Sequence, residues 1–369
     1  MRVEFTPLDD SLVSACREFN ERLRSHGEPP FLLPQAHAPR KVTRSLGGVE
    51  YTHYVALDRT GMVRGGMLLM EQRGWLQNET IRLINIQSPL SEGLFDRRFS
   101  GVALQMLRFT LARSPYLYAV GMGHEQNPFP RLLRAAGWSV TSVPFSVWIQ
   151  NSRRFLHQIS PLRHGFRMVL AQIAAASGVS TAMLLAWQLA HRPRFTRHYS
   201  LESAHCWPVG LNTIWEQCRQ QISLSVLRDE ETLASVYPDD QIRLRRFLLR
   251  HHGEIVGWSV GIATSMVQNQ YFGDLCVGTI LDGLASAEHL PALLALTRDA
   301  LVDLGAELIL TNQTHHLWLA ELRQLGFLSA PSNYVLATSG ALNAALKANP
   351  DKSSRMHFSR GDGDGRNHL

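Results

Sequence analysis

The chain is poor in cysteine, with only four in 369 residues, and no two of them have the C-x-x-C spacing of a metal or redox site. A fold held together by disulfides is therefore not expected, and the thiols should be reduced and mostly buried. The four are Cys16, Cys206, Cys218 and Cys276.

The amino terminus lacks a long apolar run, because charged residues such as Arg2, Glu4 and Asp9 interrupt it. We therefore expect no signal peptide and a cytoplasmic protein. The residues from Met168 to Ala190 are long enough to cross a membrane, but polar residues divide the run and Ser177-Gly178 indicates a break between two helices. Buried or interface helices are the preferred interpretation, with no membrane contact.

The chain also lacks a dense block of one charge, although its net charge is +6. Scattered arginines suit an anionic cofactor or substrate and are weak evidence for nucleic acid binding. Apolar residues make up 45% and charged residues 18%, which is typical of a globular protein. At this length two domains are expected.

The stretch from residue 81 to residue 113 organises the first half of the chain. Its β-branched first part predicts a strand that Ser88-Pro89 ends. The part from Val102 to Arg113 predicts an amphipathic helix with its apolar face formed by Ala103, Leu104, Leu107 and Leu111.

The junction between this strand and this helix has the sequence Arg98-Phe99-Ser100-Gly101-Val102-Ala103. The first N–H groups of a helix lack internal partners and carry the positive end of its dipole, so a pyrophosphate can bind there. Gly101 leaves room for a phosphate near the backbone, and Arg98 adds a cation.

This junction resembles the (Gln/Arg)-x-x-Gly-x-(Gly/Ala) loop of the GNAT acetyltransferase superfamily, which holds the pyrophosphate of coenzyme A. The following residues resemble the same family: a predicted strand from Tyr116 to Met122, then Asn127, a short helix, and Gly137-Trp138. The resemblance covers residues 1 to about 152, and a similar order of elements recurs in the second half.

The resemblance implies an α/β (α+β) fold with two GNAT-like domains, each a mixed, mostly antiparallel sheet flanked by helices. The predicted parts are a GNAT-like domain at 1–152, a helical linker at 153–197, a second GNAT-like domain at 198–345 and a disordered tail at 349–369. We expect residues Val140 to Gln150 to close the first sheet and Tyr334 to Thr338 to close the second.

The second half has no equivalent of the phosphate loop. Residues Asp282 to Pro291 contain no Arg-x-x-Gly-x-Gly, and Glu288 would repel a pyrophosphate. The second domain is therefore interpreted as a degenerate copy that shapes the acceptor site or completes the fold.

The resemblance also implies which residues bind the cofactor and carry the chemistry. A general base should leave the strand that ends near Met122, so His124 and Glu125 are the catalytic candidates, with Asp96 as another. Many family members place a proton-donating Tyr where this chain has Leu133. The expected cofactor-binding residues are Ile84, Ile86, Arg98, Phe99, Ser100, Gly101, Val102, Ala103 and Asn127.

Two further patterns predict other chemistry and are set aside. Gly257-Trp258-Ser259-Val260-Gly261 matches a hydrolase nucleophile elbow, but the surrounding residues predict one continuous strand. The pairs His251-His252 and His315-His316 lack partners at ligand spacing, so we expect no metal.

We therefore expect an acyltransferase that moves an acetyl or other acyl group from coenzyme A to an amine of a small molecule or an amino sugar. Two alternatives stay open. One is a Fem-type aminoacyltransferase that uses aminoacyl-tRNA, and the other is a non-catalytic acyl-CoA-binding or scaffold protein.

Overall fold

The computed structural model describes residues 2–31, 43–46, 48–159, 178–193, 198–348 and 355–363. They form two compact units, each built from several segments of the chain. The first unit comprises Met1–Ser142, Ser223–Leu227 and Asn333–Ser353. The second comprises Val143–Ile222, Arg228–Ser332 and Ser354–Leu369.

The first unit is a mixed sheet with helices on both faces. Its helices are α1 (Val13–Ser25), α2 (Val102–Leu111), α3 (Pro128–Ala135) and α10 (Gly340–Lys347). Its strands are β1 (Glu4–Pro7), β2 (Thr43–Leu46), β3 (Val49–Leu57), β4 (Val63–Leu76), β5 (Glu79–Ser91), β6 (Leu117–Val120), β7 (Ser139–Ser142), β10 (Leu224–Val226) and β16 (Val335–Thr338). The strand order is β1-β3-β4-β5-β6-β16-β7, with β2 beside β3 and β10 beside β4.

Alternating side chains divide the core of this unit between the two faces of its sheet. Ile84 and Ile86 of β5 pack with Leu117 of β6 and with buried side chains of α2 and α3. On the other face, Phe19 and Leu23 of α1 pack in a second cluster. The predicted strand and the predicted helix of residues 81–113 are thus confirmed, but the strand does not end at Ser88-Pro89 and continues to Ser91.

The apolar face of α2 differs from the prediction. Leu104 and Leu111 are 38% and 39% exposed, whereas Val102, Met106 and Thr110 are buried. The Thr110 hydroxyl donates to the Met106 carbonyl oxygen at 3.0 Å, which satisfies it inside the core. A polar residue therefore faces the sheet, and the buried stripe lies to one side of the predicted one.

The second unit is another mixed sheet with helices. Its helices are α4 (Ser152–Gln158), α5 (Val179–Ala190), α6 (Leu211–Cys218), α7 (Glu230–Val236), α8 (Leu290–Asp303) and α9 (His316–Gln324). Its strands are β8 (Phe145–Ile149), β9 (Tyr199–Ala204), β11 (Arg245–His251), β12 (Glu254–Ser265), β13 (Cys276–Ala285), β14 (Leu308–Asn312), β15 (Leu328–Ala330) and β17 (Met356–His357). The sheet order is β15-β8-β14-β13-β12-β11-β9.

The two sheets repeat one arrangement, since β3-β4-β5-β6-β16-β7 corresponds to β11-β12-β13-β14-β8-β15. In each, one parallel pair is joined through a helix, β5 and β6 through α2 and β13 and β14 through α8. The predicted fold class, two mostly antiparallel mixed sheets flanked by helices, is confirmed.

Each sheet is closed by a strand from the other half of the chain. Strand β8 lies between β14 and β15 of the second sheet, and β16 lies between β6 and β7 of the first. Only residues 140–142 of the segment predicted to close the first sheet belong to it, and Val335–Thr338 closes the first sheet instead of the second. The domain boundaries stay predictions, and the units differ from them in these strands.

Two other predicted segments, the tail and the linker, differ from the structure or lie partly outside the described residues. Residues 355–363 of the tail predicted to be disordered form β17 and a 3-10 turn. Linker residues 160–177 and 194–197 and tail residues 349–354 and 364–369 lie outside the described residues. Across the described ranges, no helix is long and apolar enough to span a membrane.

Candidate functional site

The parallel strands of the first sheet pair over a very short distance. Ile84 lies opposite Leu117 and Asn85 opposite Tyr118, and the ladder ends there. Just beyond, one extra residue in β5 breaks its register with β4, where Ser88 has a φ of 46°. Such a bulge leaves a residue unpaired and turns the strand, so the sheet opens into a split at this place.

A cavity of about 200 Å³ lies at this split, in contact with β4, β5, α2 and α3. Most of its lining is apolar. The lining residues are Met67, Ile86, Pro89, Leu90, Ser91, Gly93, Leu94, Ser100, Ala103, Met106, Leu107, Thr110, Pro128, Phe129 and Leu132. A mostly apolar cavity of this kind can hold a ligand between the sheet and the two helices.

The segment between β5 and α2 is anchored by a buried carboxylate. Glu92 is 2% exposed, and its two oxygens accept from Arg22 Nε at 2.6 Å and from Arg64 Nη1 at 2.8 Å. The charge-assisted pairs hold a 3-10 turn, Glu92–Leu94, against the rest of the unit. The segment from residue 90 to residue 96 is therefore anchored at Glu92.

Gly93 lies close to the backbone of Phe99 and Ser100 and so sets the position of the loop before α2. A Cβ at this position would lie 2.7 Å from the Phe99 carbonyl oxygen and 2.9 Å from Ser100 Cα. The Phe99 side chain is buried in the core, and the Arg64 guanidinium lies 4.4 Å from its ring centroid. Residues 99 and 100 are thus held from both sides at the mouth of the cavity.

The first turn of α2 faces open space at Gly101. This residue is the N-cap of the helix, and a Cβ there would meet only Gln105 Nε2, at 3.9 Å. Ala103, in the same turn, lines the cavity. The N–H groups of a first helical turn have no partners within the helix and attract anions. This turn can therefore hold a phosphate group next to the cavity.

Arg98 is paired with an acid of its own loop. Its Nη2 lies 2.6 Å from Asp96 Oδ2, and its side chain is 82% exposed. Hydrogen bonds from the side chain and backbone of Arg98 hold the pKa of Asp96 below its ordinary value. A carboxylate of lowered pKa is a poor proton acceptor at neutral pH, which disfavours Asp96 as the general base.

His124 and Glu125 lie in the loop between β6 and α3, and neither belongs to the cavity lining. His124 is exposed, and Glu125 Oε2 accepts from Arg134 Nη2 at 2.9 Å. Asn127 is the N-cap of α3, and its Nδ2 lies 3.4 Å from the Met122 carbonyl oxygen. The loop therefore positions the first turn of α3, which contributes Pro128 to the lining.

The cavity brings together only some of the predicted binding residues, namely Ile86, Ser100 and Ala103. Phe99 and Val102 are buried in the core beside it, and Ile84 stands where the strands still pair. Leu133, where the family resemblance suggests a Tyr, is fully buried and apolar. The sequence prediction missed several lining residues, whose only signal is their alternation in β4 and their spacing in α2 and α3. They are Met67, Met106, Thr110, Phe129 and Leu132.

The second sheet has a similar split, but the chain itself occupies it. Strands β13 and β14 pair only through residues 277–279 and 308–310. Beyond that point residues 358–362 contact both strands. Thr314 N donates to the Phe358 carbonyl oxygen at 3.0 Å, and Arg360 Nη1 donates to Asn312 Oδ1 at 3.1 Å. The cavity left beside this segment measures about 20 Å³, which is room for about one water molecule.

A buried arginine joins this segment to β13. Arg228 Nη2 lies 3.1 Å from Asp282 Oδ1 and 2.8 Å from Asp362 Oδ2, and all three residues are at most 5% exposed. Burial alone would raise the pKa of Asp282, but the charge of Arg228 lowers it. For Asp362 burial prevails and raises its pKa to about 6. The segment is therefore held by charge as well as by backbone hydrogen bonds.

Ser259 does not form a nucleophile elbow. It lies in the middle of β12, is 1% exposed, and its hydroxyl is 2.6 Å from that of Thr297. The prediction of one continuous strand is confirmed.

No family model matches the chain, and no curated protein matches its sequence. Solved structures match its fold over nearly its whole length. N-myristoyltransferase from Saccharomyces cerevisiae with bound myristoyl-CoA is 9% identical with a TM-score of 0.52, and the match covers 92% of this chain and 82% of that one. The chain has the fold of GNAT N-acyltransferases.

Two other GNAT-fold structures agree with this result. A probable N-acyltransferase of unknown function from Enterococcus faecalis is 8% identical with a TM-score of 0.53, over 94% of this chain and 74% of that one. A GCN5-related N-acetyltransferase from Anabaena variabilis is 12% identical with a TM-score of 0.50, over 91% and 72%. At such low identity the matches show the fold alone. Of the two GNAT-like splits in this chain, only the first contains a cavity of ligand size.

Proposed function

We propose that this chain is an N-acyltransferase that takes an acyl group from coenzyme A and transfers it to an amine. The observation that carries the proposal is the cavity at the split of the first sheet, which begins at the first turn of α2. The proposal is supported by the structures of similar fold, which are N-acyltransferases or, in one case, a probable N-acyltransferase.

The chemistry of coenzyme A suits the two ends of this site. Its pyrophosphate is an anion of the kind that a helix N-terminus binds, and Gly101 leaves space for it in front of α2. Its pantetheine arm can lie in the cavity, whose lining includes residues of both α2 and α3. We assign the donor site to the first unit, because residues 358–362 occupy the split of the second.

The reaction is a direct displacement at the thioester carbonyl. The amine nitrogen forms a bond to the carbonyl carbon, and the carbon–sulfur bond breaks to release the thiolate. We expect backbone N–H groups around the bulge at Ser88 to polarise the carbonyl oxygen. A thiolate is already a fair leaving group, so the absence of a Tyr at Leu133 is compatible with turnover.

A base must remove the proton of the attacking amine, and we propose His124 or Glu125, acting through a water molecule. Of the two, His124 is favoured, because the Glu125 carboxylate is engaged by Arg134. We propose a small amine or an amino sugar as the acceptor, on the resemblance of the sequence to the GNAT acetyltransferase superfamily.

The first experiment measures thermal stability with and without coenzyme A and acetyl-CoA in the wild type, Gly101→Glu and Gly101→Ala. A ligand at about 100 times its dissociation constant adds about 2.7 kcal/mol to the free energy of unfolding. We expect this stabilisation in the wild type and its loss in Gly101→Glu, where a carboxylate meets the phosphates.

Gly101→Ala is the matched control, because the open space at this position accommodates a methyl group. It should keep most of the stabilisation. If coenzyme A stabilises none of the three proteins, or stabilises Gly101→Glu as well as the wild type, the donor site is not at this loop and the proposal fails.

A further inference from the structure

We infer that the donor carries a linear acyl chain longer than acetyl, which lies in the inner part of the cavity between α2 and the sheet. The inference rests on the proposed function and adds the class of acyl group. It follows from two observations: the burial of the inner end of the cavity and the chemistry of its inner wall.

The lining runs from an exposed mouth to a buried end. Leu94, Ser100 and Pro128 are exposed and lie at the loop side of the cavity. At the other end, Met67 is 1% exposed and Thr110 is fully buried. The cavity therefore continues past the phosphate loop into the core of the first unit.

The inner wall offers hydrocarbon and sulfur but no polar group that needs a ligand. Met67, Ile86, Met106 and Leu107 contribute apolar side chains. Thr110 has the one hydroxyl there, and it already donates to the Met106 carbonyl oxygen. The amides of pantetheine need hydrogen-bond partners, so this end suits an alkyl chain better than the arm itself.

The inner end is left for the acyl group, because we assign the pantetheine arm to the space between α2 and α3, and this end is one part of the cavity of about 200 Å³. An acetyl group would leave the inner end empty, and an apolar void loses the dispersion contacts of its lining. Methionines at this end suit a flexible chain, because their unbranched side chains adapt to it.

In the transfer the chain moves with the carbonyl carbon. The amine nitrogen bonds to that carbon, the thiolate leaves, the base takes the amine proton, and the alkyl chain is unchanged. The product is therefore an N-acyl amide with a chain longer than acetyl.

The test is a binding series by calorimetry with coenzyme A, acetyl-CoA, hexanoyl-CoA, octanoyl-CoA and dodecanoyl-CoA. Each buried methylene strengthens binding about fourfold, so hexanoyl-CoA should bind on the order of 100-fold more tightly than acetyl-CoA. The gain should stop at the chain length that fills the inner end of the cavity. Equal dissociation constants for acetyl-CoA and hexanoyl-CoA would overturn the inference.

Thr110 provides a matched pair of variants. Thr110→Leu places a larger side chain in the inner end of the cavity. It should weaken the binding of hexanoyl-CoA at least tenfold and change the dissociation constant of acetyl-CoA less than twofold. Thr110→Val keeps the shape, loses the same hydroxyl and should keep the preference for hexanoyl-CoA. If both variants lose the preference for hexanoyl-CoA equally, the loss comes from the missing hydroxyl, and the inference is wrong.

The outcomes separate this inference from the proposed function. If coenzyme A and acetyl-CoA bind but chain length has no effect, the donor site stands and the acyl-chain assignment fails. If coenzyme A itself does not bind, both fail.

Discussion

Asp96 and Arg98 show how single charges can weaken a phosphate site. Asp96 accepts from the backbone N–H of Arg98 and caps the 3-10 turn Arg97–Phe99, and it also holds the guanidinium. The loop thus presents a carboxylate beside the place proposed for a pyrophosphate. The ion pair is exposed, and such pairs contribute little to stability, so its electrostatic effect on a ligand should exceed its effect on folding.

We predict that Asp96→Asn tightens the binding of coenzyme A by about three- to tenfold. Removing one charge about 6 Å from a doubly charged group is worth on the order of 1 kcal/mol in water. Asparagine caps a helix as well as aspartate does, so the loop should keep its shape. Calorimetry at low salt measures the change, which should shrink at high ionic strength.

Glu79→Gln is the control for this prediction, since it removes the same charge from an exposed position at the other end of β5. It should leave the affinity unchanged. Weaker binding by Asp96→Asn would mean that Asp96 orders the loop more than it repels the ligand.

In the second unit, residues 358–362 of the chain itself occupy the split between β13 and β14. Gly361 packs so closely that a Cβ would lie 3.2 Å from Asp282 Cβ, and Ser359 and Asp362 form a capping box. His357, beside the same cluster, is buried, and this burial lowers its pKa to about 4. The charged cluster therefore consists of one arginine and two carboxylates, with a neutral imidazole beside them at pH 7.

Arg228→Leu should lower the free energy of unfolding by about 3–5 kcal/mol, because it leaves two buried carboxylates without their cation. Without Arg228 the pKa of Asp282 rises above the unfolded value near 3.9, and that of Asp362, already raised to about 6 by burial, rises further, so both take up protons as the pH falls. The loss of unfolding free energy relative to the wild type should then be largest at pH 7 and smaller at pH 4. Urea unfolding at the two pH values measures it.

The matched control is Arg250→Leu, in which an exposed pair with Glu202 at 2.8 Å is lost. This change should cost less than about 1 kcal/mol. An equal loss for both variants would show that the buried cluster contributes no more than a surface ion pair.

Local sequence patterns predicted most individual helices and strands, but not which elements they pack against or pair with. Strand β5, helix α2 and the Gly101 turn follow from β-branched residues, periodicity and the glycine. The cavity wall was missed in part because Thr110 counts as polar in a periodic pattern, while its hydroxyl is satisfied within the helix. The tail was expected to be disordered from its polar composition, yet Asp362 is 5% exposed, paired with an arginine 134 residues away. Such distant contacts leave no trace in a local pattern.

At the scale of the whole molecule, the exchange of β8 and β16 makes each sheet depend on both halves of the chain. Leu336 pairs with Val120 on one side and with Thr141 on the other, so β6 and β7 are joined only through β16. The Ser339 hydroxyl also accepts from Leu117 N at 3.2 Å and donates to the Pro115 carbonyl oxygen at 2.6 Å. Segments of four or five apolar residues pair equally well with many strands, and the sequence alone does not say which.

We predict that residues 1–195 do not fold by themselves, because the missing strand leaves two unpaired edges inside the sheet. Co-expression with residues 196–369 should restore a complex that binds coenzyme A and unfolds cooperatively. Fusing residues 333–348 to the end of the 1–195 fragment should restore most of the cooperativity, whereas a scrambled version of this segment should not. Thermal unfolding followed by circular dichroism measures each case. Cooperative unfolding of 1–195 alone, at the melting temperature of the full chain, would show that β16 is dispensable and that the first sheet is completed within its own half.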